Sequence, residues 1–346
     1  MATGEGFPIA IVVLYSLFYC VVFLLSVVGN VVVLCICYRM IKINRQSSIK
    51  FFIANLAFSD LTFTLLSLLN CINFFWTWLG GNATCKLQGF LIEACYTTSI
   101  MTLVVISFER RKAVVTPFEV RMGASEGTHR NLIAAIWLTG FMTASPLLHA
   151  YEVETTKSGS LICSNDPFGD PGRQVYYSIH AVCIFIVPLT YMIYAQRTIF
   201  KTLRSRVFPI QNSFTTASTD RHRKVAKTLA ALTVAFTVCW APFIIVRTLM
   251  YFYLTDGGYY WRACQLLIFL NAALDPILYG IYGENVRGHF QYFFRRIRRS
   301  PTFTGTECYT TESQTTKFPR KPIRLQVRAV RVEAPNSSKI HSIQSF

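Results

Sequence analysis

Long apolar runs alternate with short polar connections along almost the whole chain. Seven runs stand out, at roughly 7–37, 48–76, 85–115, 131–149, 175–198, 225–254 and 260–282. Each has about 19 residues or more, and about 20 apolar residues wound as an α-helix cross a hydrocarbon core about 30 Å thick. The pattern predicts an all-α membrane protein, a bundle of seven transmembrane helices. The first run starts almost at the N-terminus, but it lacks a basic leader and a clear small-residue cleavage site, so it reads as a retained helix. In the third run Cys85 stands 25 residues before Arg110, a helical rise of about 37 Å. One helix can therefore hold Cys85 at one membrane face and Glu109-Arg110 at the other, as a device reporting across a membrane would.

Beyond the last run the pattern changes. Residues 284–297 place Val286, Phe290, Phe293, Phe294 and Ile297 among Arg287, Arg295 and Arg296, the signature of a short amphipathic eighth helix on the membrane surface. Residues 298–346 are polar and aperiodic, so they are expected to form a disordered cytoplasmic tail. The predicted organisation is an outer N-terminus of residues 1–7, a helical domain of residues 8–283, the surface helix and the tail.

Composition and charge agree with a bilayer as solvent. The chain is 52% hydrophobic and 15% charged, where a soluble domain carries about 25% charged residues. Its formal net charge of +17 raises nucleic acid as a partner, but the distribution points instead to lipid. Only Lys86, Lys157, Arg173, Arg247 and Arg262 fall on the side of the N-terminus or in the pocket positions; the rest of the 34 lysines and arginines lie in the other connections and the tail. Positive charge marks the cytoplasmic side and meets anionic head groups there. The N-terminus is thus expected outside and the C-terminus inside, with no nucleic acid partner.

There are eleven cysteines, most inside apolar runs where they serve as small buried hydrophobes. Cys85 and Cys163 lie on the outer side, where disulfides persist, and are the favoured pair. Cys264 is a competing partner near the outer end of the seventh run. Asn82-Ala83-Thr84 is a glycosylation sequon beside Cys85, close to the membrane. Polar residues inside spans are costly and mark function. Asp60, Ser99, Asn271 and Asp275, with Asn30, fall at middle depths. They read either as a Na⁺ site or as a packing cluster in which one acid is protonated. Pro188, Pro242 and Pro276 interrupt three successive spans, and a proline kink is a natural hinge.

Taken in order, these residues resemble the class A, rhodopsin-like G-protein-coupled receptors over roughly residues 8–297. The motifs are Gly29-Asn30, Asn55-Leu56-Ala57 with Asp60, Trp78 and Cys85, Glu109-Arg110 with Pro117, Trp137, Pro188, Phe236 with Cys239-Trp240-Ala241-Pro242, and Asp275-Pro276-Ile277-Leu278-Tyr279. Arg111 and Gln196 stand where the family has tyrosines. The resemblance implies that Glu109 pairs with Arg110 at rest and that Arg110 meets a heterotrimeric G protein on activation. Phe118 would dock on that partner, and Phe236, Trp240, Pro242, Asp275, Pro276 and Tyr279 would form the switch. Receptor kinases and arrestin would act through the threonine- and serine-rich tail, and the membrane would be the plasma membrane. A seven-helix transporter, channel or intramembrane enzyme is the competing class. It would show inverted repeats or a His-x-x-Asp pair in a span, and neither is found.

Ligand chemistry is less sharply marked. Phe269 stands at the position where opsins need a lysine, and Ile92 where aminergic receptors need an aspartate. Glu93, His180, Arg247, Tyr251, Trp261 and Gln265 are the candidate pocket, mixed in charge and aromatic. Such a pocket suits a short peptide, as in neuropeptide-type receptors, with Glu93 meeting a basic group and Arg247 a carboxylate or amide. Mutual pairing of Glu93 and Arg247 is the bland reading. A lipid, nucleotide or other small organic ligand is the alternative. No fixed cofactor is expected, only Na⁺ as an allosteric ion.

Overall fold

The computed structural model describes residues 8–43, 48–75, 77–116, 126–156, 159–205 and 213–282. Phe118, the 284–297 stretch and the tail lie outside these residues. The helices are α1 (Ile9–Ile43), α2 (Ser48–Phe75), α3 (Asn82–Val115), α4 (Glu126–Ala144), the one-turn α5 (Leu147–Ala150), α6 (Asp170–His180), α7 (Val187–Ser205), α8 (Ser213–Tyr251) and α9 (Gly258–Tyr282). A π-helical turn, Ala181–Ile186, joins α6 to α7 into one continuous span. Among the described residues, six helices are long and apolar enough to cross a membrane: Ile9–Lys42, Ile49–Asn73, Asn82–Val115, Gly127–Ala150, Asp170–Ser205 and Arg223–Tyr251. The seventh long helix, α9, has 25 residues and carries Arg262, Gln265, Asn271 and Asp275, which dilute its apolar character.

The connection 151–174, expected as a polar loop, contains an antiparallel hairpin and the start of the fifth span. Strand β1 (Glu152–Thr155) pairs with β2 (Leu161–Ser164), placing Val153 opposite Cys163. Gly169 caps α6 and proline occupies its first turn, where the missing N–H costs nothing. The fifth span thus begins at Asp170, five residues before its apolar run.

The bundle turns apolar side chains outward and holds polar groups, bonded to one another, within a mainly hydrophobic core, the arrangement a hydrocarbon solvent rewards. Leu14, Leu17, Val21 and Leu24 of α1 are exposed, while Ser26, Asn30, Ser59, Asp60, Thr64 and Ser67 are buried. The buried groups bond across helices: Tyr19 to Ser67 at 2.9 Å, Ser26 to Thr64 at 2.7 Å, and Asn55 to the Thr102 hydroxyl at 2.8 Å. Trp137 donates its indole N–H to Asn55 at 2.9 Å, tying α4 to the same point. Helix α3 packs against α2, α4 and α7 and touches α8, so it is the central strut. Helices α1 and α9 approach closely at Gly29, where a Cβ would come within 2.9 Å of Pro276. That approach lets Asn30 donate to the Ala272 carbonyl at 3.0 Å.

Candidate ligand pocket and switch core

At the outer end of the bundle, Cys85 is joined to Cys163, which ties the hairpin to the start of α3. Cys264 is a free thiol in α9, so the competing pairing is excluded. Backbone bonds reinforce the tie, with Trp78 N–H donating to the Leu161 carbonyl at 2.8 Å. Asn82 is exposed, donates to Glu152 at 3.4 Å and accepts from Val153 N–H at 3.3 Å. The hairpin thus engages the sequon asparagine directly.

Beneath the hairpin, Glu93 and Tyr96 stand three residues apart on one face of α3, and His180 meets them from the end of α6. The π turn begins just after His180, and such turns re-aim side chains at functional sites. Tyr96 donates its phenol to Glu93, and His180 Nε2 lies 2.6 Å from the same carboxylate and 3.1 Å from the Tyr96 oxygen. Because an ionised Glu93 only accepts, Nε2 carries the proton in this arrangement. Glu93, His180 and Arg247 are all about 95% buried.

Arg247 makes no direct ion pair with Glu93; its charge faces that carboxylate across Tyr96, which the guanidinium also reaches. Its guanidinium lies 4.4 Å from the Tyr177 ring centre and 4.9 Å from that of Phe243, a cation–π arrangement worth most when desolvated. Its Nη2 is buried with no hydrogen-bond partner, a costly state for a charged donor. Tyr177 stacks on Tyr251 at 4.7 Å, nearly parallel. Asn165, two residues past Cys163, donates to both phenols at 3.1 and 2.9 Å. Trp261 stacks on Phe243 at 5.1 Å. Gln265 accepts from Arg262 along α9 at 3.1 Å. Glu93, His180, Arg247 and Tyr251 therefore gather with Tyr96, Tyr177, Phe243 and Asn165, which the sequence reading missed. Trp261 joins through Phe243.

A contiguous aromatic path leads inward. Tyr96 touches Trp240 at 4.9 Å, Trp240 touches Phe236 at 6.2 Å, and Phe236 touches Phe185 at 5.5 Å. Two residues after Trp240, Pro242 interrupts α8, as Pro276 interrupts α9. At mid-depth Ser99 donates to Asp60 at 2.7 Å and meets Ser59 at 2.8 Å. The Asp60 and Asp275 carboxylates lie within hydrogen-bonding reach of each other. Asp60 Oδ2, both Asp275 oxygens, Asn271 Oδ1 and Asn30 Oδ1 are buried and accept no hydrogen bond. This is a hard-oxygen acceptor set of the kind that suits a small cation.

At the inner end, Glu109 and Arg110 are half-buried in the last turns of α3. Arg111, standing in the family's tyrosine position, reaches the Tyr194 ring of α7 at 5.6 Å. Gln196 donates to the Leu229 carbonyl at 2.8 Å and to the Thr233 hydroxyl, binding α7 to α8. Tyr279 falls in the last turns of α9.

Residues 29–279 match the model of the seven-transmembrane receptors of the rhodopsin family. The chain belongs to that family. The receptor is similar to a QRFP-like peptide receptor of Branchiostoma floridae, 27% identical over 88% of this chain and 84% of the relative. It is 26% identical to neurotensin receptor type 1 of Rattus norvegicus, over 80% of this chain and 74% of that one. A substance-P receptor of Aquarana catesbeiana is 27% identical over 87% and 75%. The receptor is thus a multi-pass membrane protein that signals through G proteins, and the enzyme, transporter and channel readings fall away.

Proposed function

We propose that this receptor sits in the plasma membrane with its N-terminus outside and its C-terminus in the cytoplasm, and that it answers to a short peptide carrying a free carboxylate. One observation carries the ligand class: Arg247 is buried with an unpaired Nη2, whereas Tyr96 and His180 already occupy the Glu93 carboxylate. The pocket thus offers an anion a partner and leaves a cation little. The names of the relatives, receptors for QRFP-like peptide, neurotensin and substance P, support a peptide. The test is a set of short peptides made in matched carboxylate and amide forms, read by calcium and cAMP in cells expressing the chain. Responses should be confined to the carboxylate forms. Responses to amides alone would overturn the anion, and responses only to lipids or nucleotides would overturn the peptide.

The ligand would act through Tyr96 on Trp240, whose shift pivots the inner half of α8 about Pro242 and frees Arg110 for the G protein. Asp60, Ser99, Asn271 and Asp275 would hold Na⁺ in the resting state. Two adjacent carboxylates resist double ionisation unless a cation or proton is shared between them, and an ion that prefers one state shifts the equilibrium only by that difference. Sodium should therefore weaken agonist binding to the wild type, and Asp60→Asn should lose this dependence. Equal sodium sensitivity in the variant would exclude the site. The tail is proposed to recruit arrestin after phosphorylation of Thr302, Thr304, Thr306, Thr310, Thr311, Ser313, Thr315 and Thr316, each phosphate adding about −1.5 to −2 charges. Alanine at all eight should leave G-protein signalling intact and slow arrestin recruitment; unchanged recruitment would count against the proposal.

A further inference from the structure

Away from the ligand pocket, a cavity of about 540 Å³ opens between α7 and α8 on the outer flank of the bundle. Its walls are Ile193, Arg197 and Phe200 of α7 and Ala230, Val234 and Val238 of α8. Behind these lie Gln196, Thr233 and Thr237, whose side-chain donors are already used. Gln196 donates across to α8, Thr233 donates to the Leu229 carbonyl at 3.0 Å and Thr237 to the Thr233 carbonyl at 2.7 Å. The donors of the polar lining are therefore satisfied within the protein, and apart from Arg197 the remaining wall is hydrocarbon. The volume is within the range of about 300–1,000 Å³ that small-molecule sites span.

Charge is confined to one end. Arg197, Lys201 and Arg204 recur at i, i+4 and i+7 of α7, one stripe of the helix, and all three are exposed. The stripe starts at the cavity and runs to the inner end of α7 at Ser205. On α8, Lys227 is exposed and lies one turn inward of Ala230 on the face that continues through Val234. Among the described residues, none of these four cations has a carboxylate within ion-pair distance. An apolar slot that ends in uncompensated positive charge has the shape of an anionic amphiphile, and basic pockets between helices on the cytoplasmic side are where anionic head groups bind.

The geometry points to a binding site for an anionic glycerophospholipid of the cytoplasmic leaflet, one acyl chain between α7 and α8 and its head group on Arg197, Lys201, Arg204 and Lys227. Because Gln196 and Thr233 stand directly behind the slot, its occupant lies against the bond that links α7 to the moving half of α8. The inference rests on the orientation proposed above only in naming the leaflet. It is tested in detergent, where orientation and coupling have no influence, so either reading can fail alone.

The experiment is native mass spectrometry of the purified full chain with added phosphatidylserine, phosphatidylinositol 4,5-bisphosphate or phosphatidylcholine. The wild type should retain the anionic lipids and release phosphatidylcholine. Each removed charge should weaken retention about fivefold and the Arg197→Ala, Lys201→Ala, Arg204→Ala triple variant on the order of a hundredfold. Val234→Trp, which fills the slot and leaves every charge in place, should also release the lipid. Arg39→Ala, an exposed cation near the inner end of α1, should change nothing. Equal retention of phosphatidylcholine, or retention indifferent to both the triple variant and Val234→Trp, would show ordinary annular lipid and overturn the site.

Discussion

Arg247→Ala should lower the potency of a carboxylate-bearing agonist by about a hundredfold or more at unchanged surface level, because removing one member of a buried charge pair costs about 2–5 kcal/mol. The guanidinium is held between Tyr177 and Phe243, so its direction is set before a ligand arrives and little ordering cost remains. Arg247→Lys keeps the charge but loses the planar fork and the stacking, and it should fall between wild type and alanine. The amide form of the same peptide should lose much less in Arg247→Ala than the carboxylate form. Concentration–response curves for the two forms on the three receptors make the comparison. Equal losses for carboxylate and amide would mean that Arg247 supports the pocket wall without meeting an anion.

Cys85→Ser should remove most of the receptor from the cell surface. The disulfide spans 78 residues of sequence and fixes the hairpin that carries Asn165 over Tyr177 and Tyr251. A crosslink of this kind contributes about 2–4 kcal/mol, much of it by restricting the unfolded chain. Its loss is a large share of a marginal stability. Surface labelling and the melting temperature of the purified protein are the readouts. Cys264→Ser, which alters a thiol outside the bridge, should leave surface level near wild type. A Cys85→Ser receptor with normal surface level and normal potency would contradict the structural role of the bridge.

The spans were legible because burial in lipid demands continuous apolar stretches, and that demand is written into the sequence residue by residue. Cys85 and Cys163 were legible as the favoured pair because disulfides persist on the outer face, and the free thiol of Cys264 removes the competitor. The π turn after His180 left no signal, since Ala181–Ile186 reads as one more apolar stretch. The hairpin was hidden because four-residue strands between Tyr151 and Asn165 carry too few residues for a period to show. The pairing of Glu93 with His180 and Tyr96 depends on how α3 and α6 are rotated against each other, which hydrophobic periodicity does not fix in spans that are apolar on nearly every face. The same holds for Arg247: its position in the outer half of the bundle was legible, while its place between two rings was not. Tyr96 could have been found, since it stands one turn from Glu93 on the face that leads toward Trp240. Gln196 marked a departure in the sequence, but only the packed helices reveal its bond to α8.

The central claim is that an extracellular ligand at Arg247 is converted into G-protein activation at Arg110. The most direct measurement is nucleotide exchange on purified heterotrimeric G proteins by the purified receptor in lipid nanodiscs, with and without the carboxylate peptide. Exchange should rise with peptide on the wild type, keep its maximum but need far more peptide on Arg247→Ala, and stay at the receptor-free rate on Arg110→Ala. A receptor that binds the peptide yet accelerates exchange on no G protein, or that does so equally well without Arg110, would contradict the account.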